Sequence, residues 1–192
     1  MYINWDVTMR FDPNSLVPST QHGIPVPSYG NYGGVNYSAG QEGGTTPEVG
    51  SAAYLAHPPK DDLDQLFYAH DLVYQHLRDG TATVLQTFDA DAKLLEGMYT
   101  LTQSEPALFA NDPEALLYEA FATLGILGKI ETTPGESEYL QSTLPQSEEQ
   151  LLAAAAIHNF DTGLAETPGN ESRSLHGAFH VFEAQFGDLL LA

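Results

Sequence analysis

A histidine and an aspartate stand side by side, as His70 and Asp71, in a segment that is otherwise largely apolar. Its apolar residues recur at the i, i+3, i+4, i+7 spacing that predicts one buried face of a helix. His70 falls within this stripe, and an imidazole held there is suited to general-base chemistry near neutral pH. Asp71 flanks the stripe, where its carboxylate can still reach a bound ion or water. The stripe consists of Leu63, Leu66, Phe67, His70, Val73, Tyr74 and Leu77.

A purely structural role for the pair fits the same pattern. A core histidine with both ring nitrogens hydrogen-bonded, beside a solvated aspartate, requires no chemistry, and histidine is only intermediate in its tendency to be buried. The elements around the pair must therefore decide between the two interpretations.

Two consecutive helices are predicted to position these side chains. The first runs from about residue 61 to residue 77, and the second from about residue 88 to residue 101. Asp91 lies in the apolar stripe of the second helix, as His70 lies in that of the first, so a short connection can bring the two together. The alternative is that Asp91 is an exposed acid equivalent to Asp89.

A stretch rich in glycine and tyrosine precedes the first helix. Residues 23–50 hold 8 of the 17 glycines, together with Tyr29, Tyr32 and Tyr37. This composition fits an ordered loop or a flexible linker, and linkers rarely carry aromatic residues. The stretch that follows, up to Pro59, is predicted to be a surface insertion.

The whole chain is predicted to be mainly α, in a single domain of residues 1–192. Within it we expect an N-terminal arm in residues 1–27, the core in residues 28–103 and an additional helical region in residues 104–192.

In the additional region, helix starts are predicted at Pro113 and at Ser147, the latter with a capping box. Residues 132–145 between them are predicted to be a polar loop. The last segment, residues 175–192, has the apolar spacing of an amphipathic helix.

Composition limits the classes of function. Only 6 Lys and Arg oppose 26 Asp and Glu, a formal net charge of -20, which excludes nucleic-acid binding, because phosphate contacts need clustered Lys and Arg. An acidic surface attracts cations such as calcium. The chain has no cysteine, so packing or metal must replace disulfides. No apolar run is long enough for a bilayer, and the N-terminus lacks a signal-peptide pattern.

Taken in order, the loop, the His-Asp helix and the second-helix aspartate resemble the phospholipase A2 superfamily. The calcium loop of that family, Tyr-Gly-x-Tyr-x-Gly, corresponds to residues 29–34. Its active-site helix, Asp-x-Cys-Cys-x-x-His-Asp-x-Cys-Tyr, corresponds to residues 64–74, and its lead-in, Pro-x-Asp-Asp-Leu-Asp, to residues 59–64. The resemblance covers about residues 28–100 and implies an antiparallel helix pair with a glycine-rich calcium loop.

The chain departs from the family at the cysteines and in the second half of the loop. The family's helix cysteines are replaced by Leu66, Phe67 and Val73, and its loop cysteines by Asn31 and Gly33. Apolar packing takes the place of the bridges, as in cysteine-poor microbial relatives. The later loop glycines of the family fall on Asn36 and Tyr37.

The resemblance implies a carboxylic ester hydrolase that cleaves the sn-2 ester of glycerophospholipids. His70 would take a proton from the attacking water. Asp91 would accept a hydrogen bond from the other imidazole nitrogen and so hold the tautomer, as in triad chemistry. Tyr74 would hydrogen-bond to Asp91 and keep the buried carboxylate satisfied.

The same resemblance implies a calcium ion as cofactor. Its ligands would be the Asp71 carboxylate and the backbone carbonyls of Tyr32, Gly34 and Asn36, and the Gly34 amide would add to the oxyanion site. One carboxylate and neutral carbonyls predict weak binding, with a dissociation constant of ~0.1 to 1 mM. Such a site would be empty in a calcium-poor cytosol, so we expect a secreted protein. Its tail, Phe186 to Ala192, is similar to the tails of bacterial type I export substrates.

The partner implied is a phospholipid membrane or micelle surface. Because a basic rim is lacking, aromatic and aliphatic residues such as Tyr2, Ile3 and Trp5 are expected to make the contact.

Two other functions remain open. A His-Asp metal phosphohydrolase would use His70 and Asp71 as ligands of a transition metal, with help from His57 or His76. A non-catalytic phospholipid- or calcium-binding protein would keep the fold without turnover.

One further histidine pair has the spacing of metal ligands. His176 and His180 stand at i and i+4, as zinc ligands on a helix do, but no third ligand or catalytic glutamate adjoins them. Surface histidines give the same pattern and are the preferred interpretation.

Overall fold

A computed structural model describes residues 3–4, 10–11, 18–19, 24–25 and 27–167. Seven helices within this part of the chain make it mainly α, as predicted. None of these helices is long and apolar enough to cross a membrane. The helices are α1 Ala52–Ala56, α2 Asp62–Arg78, α3 Val84–Ser104, α4 Pro106–Asn111, α5 Pro113–Thr132, α6 Glu136–Leu140 and α7 Gln146–Glu166.

Short antiparallel strands accompany the helices in the first part of the chain. They form two pairs and one three-stranded sheet, in which β2 lies between β3 and β4; β1 pairs with β5, and β6 with β7. The strands are β1 Ile3–Asn4, β2 Arg10–Phe11, β3 Pro18–Ser19, β4 Ile24–Pro25, β5 Ser28–Tyr29, β6 Tyr37–Ser38 and β7 Gln41–Glu42.

Helices α2 and α3 form an antiparallel hairpin. Leu66 lies close to Gly97, and His70 contacts Asp91. Residue numbers therefore increase along α2 in the direction in which they decrease along α3. A Cβ at Gly97 would lie 2.7 Å from Leu66 Cδ2. The glycine therefore permits the close approach that brings the polar side chains of the two helices together.

Side-chain caps fix where the two helices begin. The Asp61 carboxylate accepts the backbone N–H of Asp64 at the start of α2. At the start of α3, Thr83 and Gln86 form a capping box. Because of this cap, α3 begins at Val84 rather than near Phe88, one turn earlier than the apolar pattern predicts.

Helix α5 is the central helix of the second half and packs against α3 and, most extensively, against α7. Its buried face includes Leu117, Phe121, Leu124 and Ile130. A single hydrophobic cluster runs from Tyr29 through this helix to Phe160 of α7. The α2–α3 hairpin and the helices that follow it therefore share one core.

The predicted polar loop over residues 132–145 is wrong in its middle part. Residues Glu136–Leu140 form helix α6, with Glu136 and Leu140 both fully buried. A glutamate in a polar stretch gives no sign of burial, and the cation that accompanies Glu136 comes from α5. Tertiary contacts thus override the local pattern.

Three smaller features complete the comparison. The predicted surface insertion before Pro59 includes the short helix α1, none of whose residues is buried. Helix α7 begins at Gln146, after Pro145, without a side-chain cap, so the capping box predicted at Ser147 is wrong. Ile3 pairs with Tyr29 and packs, partly buried, against the core; its role as a membrane contact stays a prediction.

Several predictions lie outside the described residues. They concern Tyr2 and Trp5 as membrane contacts, the amphipathic segment 175–192 with its export-like tail, and the pair His176 and His180.

Candidate functional site

The buried Asp91 carboxylate is the centre of the site. His70 Nε2 lies 2.8 Å from Asp91 Oδ1, and the Tyr74 hydroxyl donates to Asp91 Oδ2 at 2.6 Å. The Asp91 side chain is fully buried, whereas Asp89 is half-buried and faces elsewhere. The two expected hydrogen bonds are therefore present, and Asp91 is not an exposed helix acid.

The second ring nitrogen of His70 faces Asp71. His70 Nδ1 lies 3.6 Å from Asp71 Oδ1, and both side chains are partly exposed to the same cavity, by 15% and 21%. Because Asp91 takes Nε2, Nδ1 is the nitrogen left toward the cavity. The imidazole is thus held on one side and accessible on the other.

Asp64 holds the glycine-rich loop against the start of α2. Its carboxylate accepts backbone N–H groups from Asn31 at 2.8 Å, Tyr32 at 2.8 Å and Lys60 at 2.9 Å. The side chain is fully buried, and burial raises its pKa, against the lowering effect of these three bonds. The loop is therefore an ordered part of the site and not a linker.

Gly30 makes this attachment possible. Its φ is +57°, a left-handed conformation that costs glycine nothing. A Cβ added there would lie 2.2 Å from Asp64 Cγ. Only glycine therefore fits between the loop backbone and the Asp64 carboxylate.

The loop and the helix hairpin line one cavity of about 760 Å³. Its polar end contains His70 and Asp71 together with Tyr32, Gly34 and Asn36, the residues predicted to supply calcium ligands. Its walls are largely apolar and come from α2, α3 and α5. They include Phe67, Leu94, Tyr118, Phe121, Ala122 and Ile126.

The donor set at the polar end fits a hard cation held by one carboxylate and backbone carbonyls. Asn36, with φ +54°, turns the loop within the cavity wall. The Asn36 carbonyl already accepts the Gly43 N–H at 2.7 Å, which leaves a lone pair for a cation. Within the described part of the chain, no three His, Cys, Asp or Glu side chains lie together as a metal site, so such a site would depend on carbonyls.

The protonation of His70 is governed by its two carboxylate neighbours. Burial lowers the pKa of His70, but Asp71 and Asp91 outweigh it and raise the pKa to about 9. Burial raises the pKa of Asp91, but His70, Lys129 and a hydrogen bond with Glu136 bring it down to about 2. Burial also raises the pKa of Asp71, against His70, Ser38 and Arg78.

Two residues of the site were not predicted from the sequence. Lys129 of α5 and Glu136 of α6 form an ion pair with Nζ 3.0 Å from Glu136 Oε2, and Lys129 Nζ also lies 2.5 Å from Asp91 Oδ2. The one available signal is that Lys129 stands in an otherwise apolar helical run. Glu136 has no signal, because its neighbours in sequence are polar.

Comparison of the chain with protein-family models, with curated proteins and with solved structures gave no match.

Proposed function

We propose that this chain is a calcium-dependent phospholipase A2-type hydrolase that cleaves the sn-2 ester of glycerophospholipids. One observation carries the proposal: His70 is held by Asp91 through Nε2, while its Nδ1 side shares a cavity with Asp71 and the glycine-rich loop. The resemblance in sequence joins these same residues.

His70 would act as the general base. Its Nδ1, on the cavity side, would have to be deprotonated first; it then takes a proton from a water molecule as the water oxygen attacks the ester carbonyl, and the imidazolium returns the proton to the leaving alcohol. Asp91 stabilises the imidazolium and prevents the ring from turning. Tyr74 keeps the Asp91 carboxylate in place through its hydroxyl.

Asp71 and the carbonyls of Tyr32, Gly34 and Asn36 would hold the calcium ion. When bound, calcium supplies Lewis-acid polarisation of the ester carbonyl and neutralises Asp71, one of the two carboxylates that raise the pKa of His70. The Gly34 N–H, in the same cavity wall, would donate to the developing oxyanion. Secretion remains part of the proposal, because weak calcium sites fill only where calcium is abundant.

The apolar walls of the cavity suit an acyl chain. A volume of about 760 Å³ is in the range of cavities that enclose most of a small lipid-like ligand. Phe67, Leu94 and Phe121 line it beyond the polar end. A phospholipid can therefore lay its ester near His70 with its chain along α5.

The direct test is fatty-acid release from mixed micelles of phosphatidylcholine labelled in the sn-2 chain. We expect release with calcium and none with chelator. His70→Asn should lower kcat by about 10²- to 10⁴-fold, the usual contribution of a general base. His158→Asn is the matched control, because His158 is exposed on α7, and it should retain wild-type activity.

Two results would contradict the proposal. Release of the sn-1 chain in place of the sn-2 chain would show that the proposed specificity for the sn-2 ester is wrong. Equal inactivity of the wild type and His70→Asn, with micelle binding retained, would favour the non-catalytic lipid-binding protein.

The metal phosphohydrolase has less support. It requires His57 or His76 beside His70, but His76 Nε2 bonds to Glu48 at 2.6 Å. The described residues contain no group of three metal-binding side chains. Stimulation by manganese with no effect of calcium would favour it over the lipase.

A further inference from the structure

Lys129 contacts the buried Asp91 from outside the α2–α3 hairpin. It belongs to α5, in the part of the chain for which the sequence offers no resemblance. Its ammonium contacts Asp91 Oδ2 at 2.5 Å and the two oxygens of Glu136 at 3.0 and 3.3 Å. Both carboxylates are fully buried. Lys129 is thus the cation shared by two buried anions.

The contacts on Asp91 are divided unequally between its oxygens. Oδ1 lies against His70, and Oδ2 accepts from both Tyr74 and Lys129. Lys129 Nζ also lies 5.4 Å from the ring centre of Tyr74. Rotation of the carboxylate would break two charge-assisted contacts at once, so its orientation toward His70 is fixed.

Without Lys129, the buried carboxyl groups of Asp91 and Glu136, which already lie within hydrogen-bonding reach of each other, would have no cation between them. Burial and Asp91 together raise the pKa of Glu136 to about 7, against the lowering effect of Lys129. Carboxylates in such contact relieve their repulsion by sharing a proton. A shared proton would divide the charge of Asp91 between His70 and Glu136.

We propose that Lys129, held in place by Glu136, is a positioning residue that keeps Asp91 ionised and turned toward His70 Nε2. The effect on turnover rests on the proposed function. The effect on the His70–Asp91 hydrogen bond does not, because that bond exists in the protein without substrate.

Turnover is tested with three variants of the full chain. Lys129→Met should lower kcat by about 10- to 100-fold, as loss of an outer hydrogen-bond partner does in other active sites, with KM little changed. Lys129→Met/Glu136→Gln should recover most of the loss, because the second carboxylate is gone and the amide can donate to Asp91. Lys93→Met, an exposed lysine on α3, is the control and should match the wild type.

A second readout needs no activity. The proton on His70 Nε2 that is donated to Asp91 should give a downfield NMR resonance, assigned by its loss in His70→Asn. Lys129→Met should move this resonance, and Lys93→Met should leave it in place. The double variant also serves if Lys129→Met alone does not fold, since its resonance should stay near the wild-type position.

The outcomes separate the two proposals. If the wild type hydrolyses lipid and Lys129→Met keeps wild-type kcat, the positioning role in turnover is overturned, whatever the resonance does. If the wild type hydrolyses no lipid but Lys129→Met moves the resonance, the proposed function fails and the positioning of Asp91 stands. A resonance unmoved in Lys129→Met overturns the positioning itself.

Discussion

At the scale of single residues, the site is organised around one buried charge. Asp91 has no exposed surface, and a carboxylate in that position is tolerated only when its oxygens are hydrogen-bonded and its charge is balanced. His70, Tyr74 and Lys129 supply those partners from three separate turns of helix. The sequence indicates the first two by their spacing, and the third only by the presence of a lysine in an otherwise apolar helical run.

The Tyr74 hydroxyl allows the value of one such contact to be measured. Tyr74→Phe leaves Asp91 with one donor fewer, and a hydrogen bond to a buried charged group is worth about 1.5 to 3 kcal/mol. We expect the free energy of unfolding in urea to fall by that amount. Tyr99→Phe, which removes a phenol oxygen from another part of α3, is the control. An equal loss of unfolding free energy in Tyr99→Phe would show that the contact with Asp91 has no special effect.

At the scale of elements, α5 joins the hairpin to the rest of the molecule. Through Lys129 it reaches Asp91, and its apolar face lines the cavity. On its other side Glu119 accepts from Thr123 of the same helix at 3.0 Å and from Asn159 of α7 at 3.1 Å. These two bonds partly compensate a carboxylate buried between α5 and α7.

Glu119 makes the packing of α5 on α7 dependent on pH. Burial raises the pKa of Glu119 from 4.5 to about 6, against the hydrogen bonds of Asn159 and Thr123, which lower it. The folded state therefore holds this proton more tightly, so its stabilising effect is complete below pH 4.5 and is lost as the pH rises through 6. The loss should be about 1 to 2 kcal/mol.

The measurement is the free energy of unfolding of the wild type and Glu119→Gln between pH 4 and pH 8. The difference between them should change in this window, with the wild type losing more stability as the pH rises. Glu166→Gln, which alters an exposed residue of α7, should run parallel to the wild type. A Glu119→Gln curve parallel to the wild type would contradict the expected burial of this charge.

At the scale of the whole molecule, an acidic chain surrounds a cavity whose polar end carries one accessible carboxylate. Only 6 Lys and Arg oppose 26 Asp and Glu, and two of these cations, Arg78 and Lys129, lie in the cavity wall. The net charge attracts cations in general. In the proposed calcium site, the selectivity for one binding position would come from Asp71 and the loop carbonyls.

Calcium should therefore stabilise the fold through Asp71. At a concentration of about ten times the dissociation constant, binding to the folded state alone adds about 1.4 kcal/mol. Differential scanning calorimetry with and without calcium should show a higher Tm for the wild type and no change for Asp71→Asn. Asp62→Asn, which removes an exposed carboxylate from the same helix, should keep the shift. An equal shift in Asp71→Asn would indicate binding elsewhere.

The sequence by itself determined the mainly α class, the helix carrying His70 and Asp71, and the inward position of Asp91. These features follow from local periodicity and caps, which act over a few residues. The tertiary structure decided how Lys129 and Glu136 complete the site, that Asp64 holds the loop, and that α6 interrupts a predicted loop. Each of these depends on contacts between distant segments that bury charged groups. The free energy of such contacts cannot be predicted from the spacing of neighbouring residues in the sequence.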